Sequence, residues 1–248
     1  MQIRINKYLS TCKIGSRRKL EQLLKNKEFR VNGKIAEPGQ MIETDTDVIT
    51  HHGAVLSAQD QFVYIALNKP VGVLSTAKDE HHRTTVLDLI TTDERLYPVG
   101  RLDKESSGLI LLTNNGDLAL KLTHPKFHLP KTYDVSTFET VTPEHLKKLA
   151  EGIRLPQNIK TLPAIATPIG DNSFRIILYQ GLKRQIREMC LSIGLNVKTL
   201  HRVAIGPIHI GGLKPGKYRY IREAEIKKLL TTQPIPFEKK EKIDPNVY

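Results

Sequence analysis

Residues Tyr97 to Asp117 constrain this 248-residue chain more than any other stretch. Tyr97-Pro98-Val99 has a strand pattern and meets a glycine at Gly100. The chain then presents Arg101-Leu102-Asp103 and returns through Gly108 into the apolar run Leu109-Ile110-Leu111-Leu112. Such a run, bounded by turn residues, reads as a buried strand. The turn before it therefore sits at a sheet edge, held by the strands on either side. Taken alone, an aspartate in a loop is more often a turn residue or a cap than a reacting group.

The rest of the chain after Phe62 supplies further strands and helices without a regular βαβ rhythm. Strand patterns cover Phe62 to Leu67, Gly108 to Thr113, Lys131 to Phe138, Phe174 to Tyr179 and Val197 to His201. Val86 to Ile90 has a helical pattern, as does Asp117 to His124. Thr142-Pro143 offers a cap followed by a proline at the first helical position, for a helix over Glu144 to Glu151. Ile186, Met189, Cys190 and Ile193 form an apolar helix face that Gly194 can terminate. The expected class is α+β, with a largely antiparallel mixed sheet flanked by helices.

The first 57 residues read as a separate small αβ module. Ile5, Tyr8 and Leu9 lie at helical spacing. Ser16 can cap a second helix carrying Leu20, Leu23 and Leu24. Phe29-Arg30-Val31, Asn32-Gly33 and Lys34-Ile35 spell a tight hairpin, and Val48-Ile49-Thr50 can add a strand. Basic residues crowd this module, among them Lys7, Arg17 and Arg18. A short polar linker separates it from a second domain over 62–230, and 231–248 reads as a flexible charged tail.

Charge narrows the function. Thirty-eight Lys and Arg against 26 Asp and Glu give +12 and a pI near 9.6. That balance favours a polyanionic partner through attraction and counterion release. Neither a basic amphipathic membrane helix nor an apolar spanning run is present, and the start lacks a signal-peptide pattern, so a cytoplasmic protein is expected. Cys12 and Cys190 are far apart and outside any Cys/His cluster, as expected of free thiols. The pairs His51-His52 and His81-His82 lack zinc-site spacing, so no metal is expected.

Two resemblances follow from these residues. Arg-Ile-Asn-Lys-Tyr-Leu, Gly-Ser-Arg-Arg and Val-Asn-Gly-Lys together resemble the S4 RNA-binding domain, which implies RNA contacts for Lys7, Arg17 and Arg18. Gly100-Arg101-Leu102-Asp103 with its flanks resembles the signature of bacterial ribosomal RNA pseudouridine synthases, the RsuA/RluF-like group. Three further segments agree in order: Lys131-Thr132-Tyr133, Gln185-Ile186-Arg187, and Leu200-His201-Arg202 through Ile205-Gly206. The resemblance implies Asp103 as the catalytic carboxylate and Tyr133 as the aromatic that stacks on the target base. It implies Arg187 as the basic partner of Asp103, and Arg101 beside the flipped nucleotide. Arg184 and Arg202 are implied as RNA contacts. Glu188 departs from the family, where a basic residue is usual, and His81-His82-Arg83-Thr84 replaces a Gly-Arg-Thr sequence.

The implied reaction breaks the N1–C1′ bond of uridine and joins C5 to C1′, with no cofactor. An ionised carboxylate can attack C1′, assist loss of the C2′ proton through a glycal, or attack C6, and all three routes stay open. A cleft favours a neutral carboxyl, and a guanidinium beside it opposes that. The expected substrate is structured ribosomal RNA, with the 23S RNA first and transfer RNA as an alternative, acted on by a monomer. Two other readings compete: a non-catalytic RNA-binding or ribosome-assembly factor, and a glycosidase. The last needs two carboxylates flanking the bond, and Glu105 is the only nearby candidate, in a loop position that suits a solvent-facing residue.

Overall fold

The computed structural model describes residues 1–58, 61–124, 127–156 and 158–232. These fall into two compact units, one of Met1–Phe62 with Asp93–Arg95, the other of Val63–Thr92 with the chain from Leu96 onward. The first unit thus runs past Ser57, where the sequence reading ends the module, and takes in a remote tripeptide. Lys13 Nζ pairs with Glu94 at 2.8 Å, and Arg95 donates to the Gly15 carbonyl at 2.6 Å.

In the first unit the chain runs through β1 (Gln2–Arg4), α1 (Ile5–Thr11), α2 (Arg17–Lys25), β2 (Phe29–Val31), β3 (Lys34–Ile35), β4 (Met41–Glu43), β5 (Ile49–His51) and β6 (Ala54–Val55). The local signals act as their chemistry dictates. Ser16 accepts from the Lys19 amide and caps α2. Asn32 and Gly33 take φ of 51° and 80°, the paired positive values that a two-residue hairpin requires, and join β2 to β3. Ile5, Leu9, Leu20, Leu24, Phe29, Ile42 and Ile49 are fully buried and form the core between helices and strands.

The second unit continues with β7 (Tyr64–Lys69), β8 (Tyr97–Val99), β9 (Ser107–Thr113), α3 (Gly116–Thr123), β10 (Lys131–Thr137), α4 (Pro143–Glu151), β11 (Ile165–Gly170), β12 (Ser173–Leu178), α5 (Gln185–Leu191), β13 (Val197–Ile205), β14 (Ile208–His209), β15 (Tyr218–Tyr220) and α6 (Glu223–Thr231). Thr142 caps α4 in a reciprocal pair of bonds with His145. After α5, Gly194 at φ 83° lets Leu195 and Gly194 donate to the Cys190 and Leu191 carbonyls, closing the helix end. One expected helix is absent. Val86 to Ile90 forms two successive turns, because the Val86 amide bonds the Leu74 carbonyl and the Asp88 carboxylate takes the Thr85 amide and hydroxyl. The expected charged tail lies, from 233 on, outside the described residues.

A nine-stranded sheet of order β11-β12-β10-β13-β9-β7-β15 organises this unit among the described residues, with β14 on β13 and β8 on β9. Every named strand pair is antiparallel except β13 with β9, so the class is the expected α+β. The placing of β8 decides where a site can form. Strand β7 covers one edge of β9 from Gly108 to Thr113, which leaves the other edge to be shared. There β13 pairs only with Ser107 and Gly108, and β8 pairs with Leu111 to Thr113. The sheet therefore forks along β9. At the root of the fork Gly108 has φ 107°, and any Cβ would collide with the backbone of Arg202. Among the described residues no helix is long and apolar enough to cross a membrane.

Candidate active site

A cavity of about 620 Å³ opens at this fork, within the range of ligand pockets generally. The end of β8 contributes Val99, β9 contributes Leu111, and β13 contributes Leu200, Arg202 and Ile205. Arg101 and Asp103 reach it from the β8–β9 loop, Lys131 and Tyr133 from β10, and Arg184 and Gln185 from the start of α5.

The loop bearing Asp103 is tethered on several sides. Gly100 turns the chain at φ 74°. Leu102 is buried among Ile65, Leu67, Val86, Leu96 and Ile110, so the residue before Asp103 acts as an apolar anchor. The Ser75 hydroxyl accepts from the Leu102 amide at 3.1 Å and donates to the Leu102 carbonyl at 2.8 Å. Gly72 donates to the Lys104 carbonyl at 2.8 Å, and Ser106 donates to the Asp103 carbonyl at 3.1 Å. Asp103 itself is half-buried. A backbone held this way fixes where the Asp103 side chain begins, without the entropy of an ordinary loop.

Lys69 lies next to this loop with 0% of its surface exposed. Its ammonium donates to the Pro70 and Val73 carbonyls at 3.0 and 2.8 Å. Burial lowers its pKa to about 8, against the opposing pull of the Asp103 and Glu105 charges. Lys131 is likewise lowered to about 8, by burial first and by the Arg202 charge second, and donates to the Leu129 carbonyl at 3.0 Å. Arg101, Lys131, Arg184 and Arg202 thus line the cavity together with Asp103, while Lys69 stays outside the lining.

Arg202 is 3% exposed. Its Nε donates to the Leu109 carbonyl at 2.6 Å, and Nη1 donates to the Tyr133 hydroxyl at 3.4 Å. Expected as an RNA contact, it lines the cavity, fastens the root of the fork and steadies Tyr133. Its Nη2 and the Ser106 Oγ are buried without a hydrogen-bond partner among the described residues, so the cavity wall retains unmet polar capacity.

Arg187 also differs from its expected geometry. Its guanidinium donates to the Glu105 carbonyl at 3.3 Å and the Val197 carbonyl at 3.4 Å. It grips the backbone two residues beyond Asp103, in place of an ion pair with the carboxylate. Arg184 pairs with the Glu105 carboxylate at 3.3 Å. The Glu105 side chain is 59% exposed, as the loop reading expects, and it is absent from the cavity lining. Its carboxyl is lowered by a bond from its own amide first and by the Arg184 charge thereafter. A two-carboxylate glycosidase arrangement is therefore not formed by Asp103 and Glu105.

Of the expected residues, Asp103, Tyr133, Arg101, Arg184 and Arg202 meet at one cavity, and Arg187 supports the loop behind it. Lys7, Arg17 and Arg18 belong to the other unit, where Arg17 and Arg18 are exposed at the first turn of α2. Sequence reasoning missed Lys69, Ser75 and Lys131 as parts of the site. A lysine ending an apolar strand and followed by Pro70-Val71-Gly72 is a usable signal, and Lys131 shares a strand face with Tyr133. Ser75 carries no signal.

The chain has relatives of known class over most of its length. Residues 63–192 match the RNA pseudouridylate synthase family and residues 3–49 match the S4 domain. The chain belongs to the RNA pseudouridylate synthase family and is an isomerase of that class. It is 37% identical over 234 residues to the ribosomal large subunit pseudouridine synthase B of Bacillus subtilis, covering 91% of this chain and 95% of that one. It is 35% identical over 226 residues to the dual-specificity RNA pseudouridine synthase RluF of Escherichia coli K12, covering 90% and 77%. A crystal structure of a pseudouridylate synthase superposes with a TM-score of 0.68 at 28% identity, covering 92% of this chain and 99% of that one.

Proposed function

We propose that this protein converts a uridine of 23S ribosomal RNA to pseudouridine, as a cytoplasmic monomer, with Asp103 as the reacting carboxylate. The observation that carries the reading is the Ser75 and Leu102 anchorage of Asp103 at the mouth of a basic, aromatic-bearing cavity. The large-subunit assignment draws on the Bacillus subtilis relative, which is named for that subunit.

Isomerisation breaks the N1–C1′ bond and forms a C5–C1′ bond within one nucleotide. A uridine stacked in structured RNA is out of reach, so it leaves the stack at a cost of a few kcal/mol, roughly. In this reading the base enters the fork cavity and stacks on Tyr133. Arg101, exposed at the rim, takes the vacated space. Asp103 works at the sugar or at C6, and Arg187 positions it by holding the Glu105 carbonyl. Lys131 and Arg184 draw the phosphates.

Lys7, Arg17 and Arg18 supply sequence-independent RNA affinity. The first turn of α2 carries no acidic residue. Cations there oppose the helix dipole, costing about 0.3–1 kcal/mol each at a surface. Placing Arg17, Arg18 and Lys19 at that end concentrates positive potential, which suits phosphate binding.

The test is a map of pseudouridines in ribosomal and transfer RNA from cells with and without the gene. Loss of one 23S site, restored by wild type and not by Asp103→Asn, is the expected result. Loss in transfer RNA alone would overturn the substrate, and an unchanged map would leave an RNA-binding factor.

A further inference from the structure

Outside the cavity, one side-chain cluster of the first unit has the chemistry of a metal site. Glu28 precedes β2, and His51 and His52 stand at the end of β5. Sequence spacing hides the cluster, because the carboxylate is 23 residues from the nearer ring. The β2–β5 pairing places Phe29 opposite His51 and so brings Glu28 alongside. His52 then takes φ 48° in the turn before Gly53. In an extended strand adjacent side chains point to opposite faces; the left-handed turn at His52 instead brings its ring to 4.2 Å from that of His51.

The geometry points to a single-ion site for zinc, or a similar borderline divalent metal, formed by Glu28 Oε2, His51 Nε2 and His52 Nε2. Both ring nitrogens converge on the same carboxylate oxygen at 3.4 Å, and the ligand atoms of all three residues lie within 4.8 Å of one another. Two imidazoles on one carboxylate oxygen have the spacing of a coordination shell. Metal–ligand bonds of about 2.0–2.2 Å in a tetrahedron put neighbouring ligand atoms roughly 3.3–3.5 Å apart. Two edges of the cluster already have that length.

The surroundings fit the same role. The other Glu28 oxygen accepts from Asn26 Nδ2 at 3.2 Å, which orients the carboxylate and leaves Oε2 for the ion. The Phe29 ring stacks on His51 at 4.7 Å and fixes its plane. The Glu28 and His51 side chains are each 23% exposed and His52 is 70% exposed, so an ion has an open approach. Two imidazoles favour zinc, cobalt, nickel or copper over magnesium or calcium, which prefer all-oxygen shells. Three protein ligands leave the fourth position to water.

The test is calorimetric titration of the full-length protein with zinc chloride, and a parallel cobalt titration read by visible absorption. The expected result is one ion per chain, with intense four-coordinate cobalt bands. Glu28→Gln and His52→Ala should each weaken binding at least about 100-fold, judged against the 10–100-fold typical of changes one shell further out. His81→Ala with His82→Ala should leave binding unchanged. His52 is exposed, so its replacement should keep the metal-free melting temperature of the parent. No zinc uptake at 100-fold excess, uptake indifferent to His52→Ala, or loss in the His81/His82 variant would each overturn the site.

Discussion

One hydroxyl holds both backbone polar groups of Leu102: Ser75 Oγ receives its amide and donates to its carbonyl. The two residues are 27 positions apart, and both are buried. Asp103 follows directly. The hydroxyl therefore holds the backbone that carries the carboxylate, although it does not line the cavity.

Ser75→Ala should leave the amide and the carbonyl of the buried Leu102 without this partner. Leaving buried groups unpaired costs about 1–3 kcal/mol, so a comparable loss is expected in urea unfolding. The RNA Kd should stay within threefold, while kcat should fall by more than the loss of folded protein explains. An unchanged kcat would show that the clamp serves folding alone.

Asp103→Asn keeps the side chain's size and removes its charge. Turnover on RNA should fall at least a thousandfold, about 4 kcal/mol of transition-state stabilisation, with RNA affinity nearly unchanged. Single-turnover assays with saturating enzyme separate the two quantities.

Tyr133→Phe retains the ring and loses only the group that accepts from Arg202. Stacking of a base on an aromatic ring is worth roughly 1–3 kcal/mol. The Phe variant should stay within about tenfold of the parent kcat, and Tyr133→Ala should fall further. A hundredfold loss in the Phe variant would assign the hydroxyl a share in proton transfer.

Arg17→Ala with Arg18→Ala should weaken RNA binding and lower the slope of log affinity against log salt by roughly 1–2, one contact per lost phosphate partner. Filter binding at several salt concentrations measures it. A slope equal to the parent's would remove these two residues from the RNA interface.

Burial lowers the pKa of Lys69 and of Lys131 to about 8 in the folded chain, whereas an unfolded lysine titrates at ~10.4. Across that window the unfolded chain binds more protons, so the burial penalty of both is relieved and their contribution to stability rises with pH. RNA affinity should move the other way, as Lys131 loses its charge in the cavity above about pH 8. Lys131→Met should flatten that decline, which affinity measurements from pH 7 to 9.5 will read.

Features that depend on a few consecutive residues were readable in the chain itself. Ser16, Asn32-Gly33, Thr142-Pro143 and Gly194 each act through neighbours within five positions. The tethering of Asp103 was not readable, because its partners come from Ser75, Gly72 and Arg187 through tertiary contacts. The same holds for the Val86–Ile90 segment. Its apolar spacing suits a helix, but Leu74 has taken the Val86 amide and the Asp88 carboxylate takes the Thr85 amide, so two turns result. The bonds of Arg202 were hidden for a related reason. Its charge suggests a surface, and only the close approach of β9 at Gly108 shows that its guanidinium is committed inside.

The two halves of the large sheet, β11-β12-β10-β13 on one side and β9-β7-β15 on the other, share a backbone ladder of just two residue pairs, His201 with Ser107 and Arg202 with Gly108. Side chains complete that join: Ser107 bonds His201, Arg202 bonds the Leu109 carbonyl, and Ile205 and Ile208 pack in one cluster with Leu109 and Leu111. A force prying the halves apart has little ladder to unzip there, while the flanking antiparallel strands resist over many more residues. The join of the two halves therefore rests on side chains at least as much as on backbone ladder, and Gly108 lets them come close enough to form it.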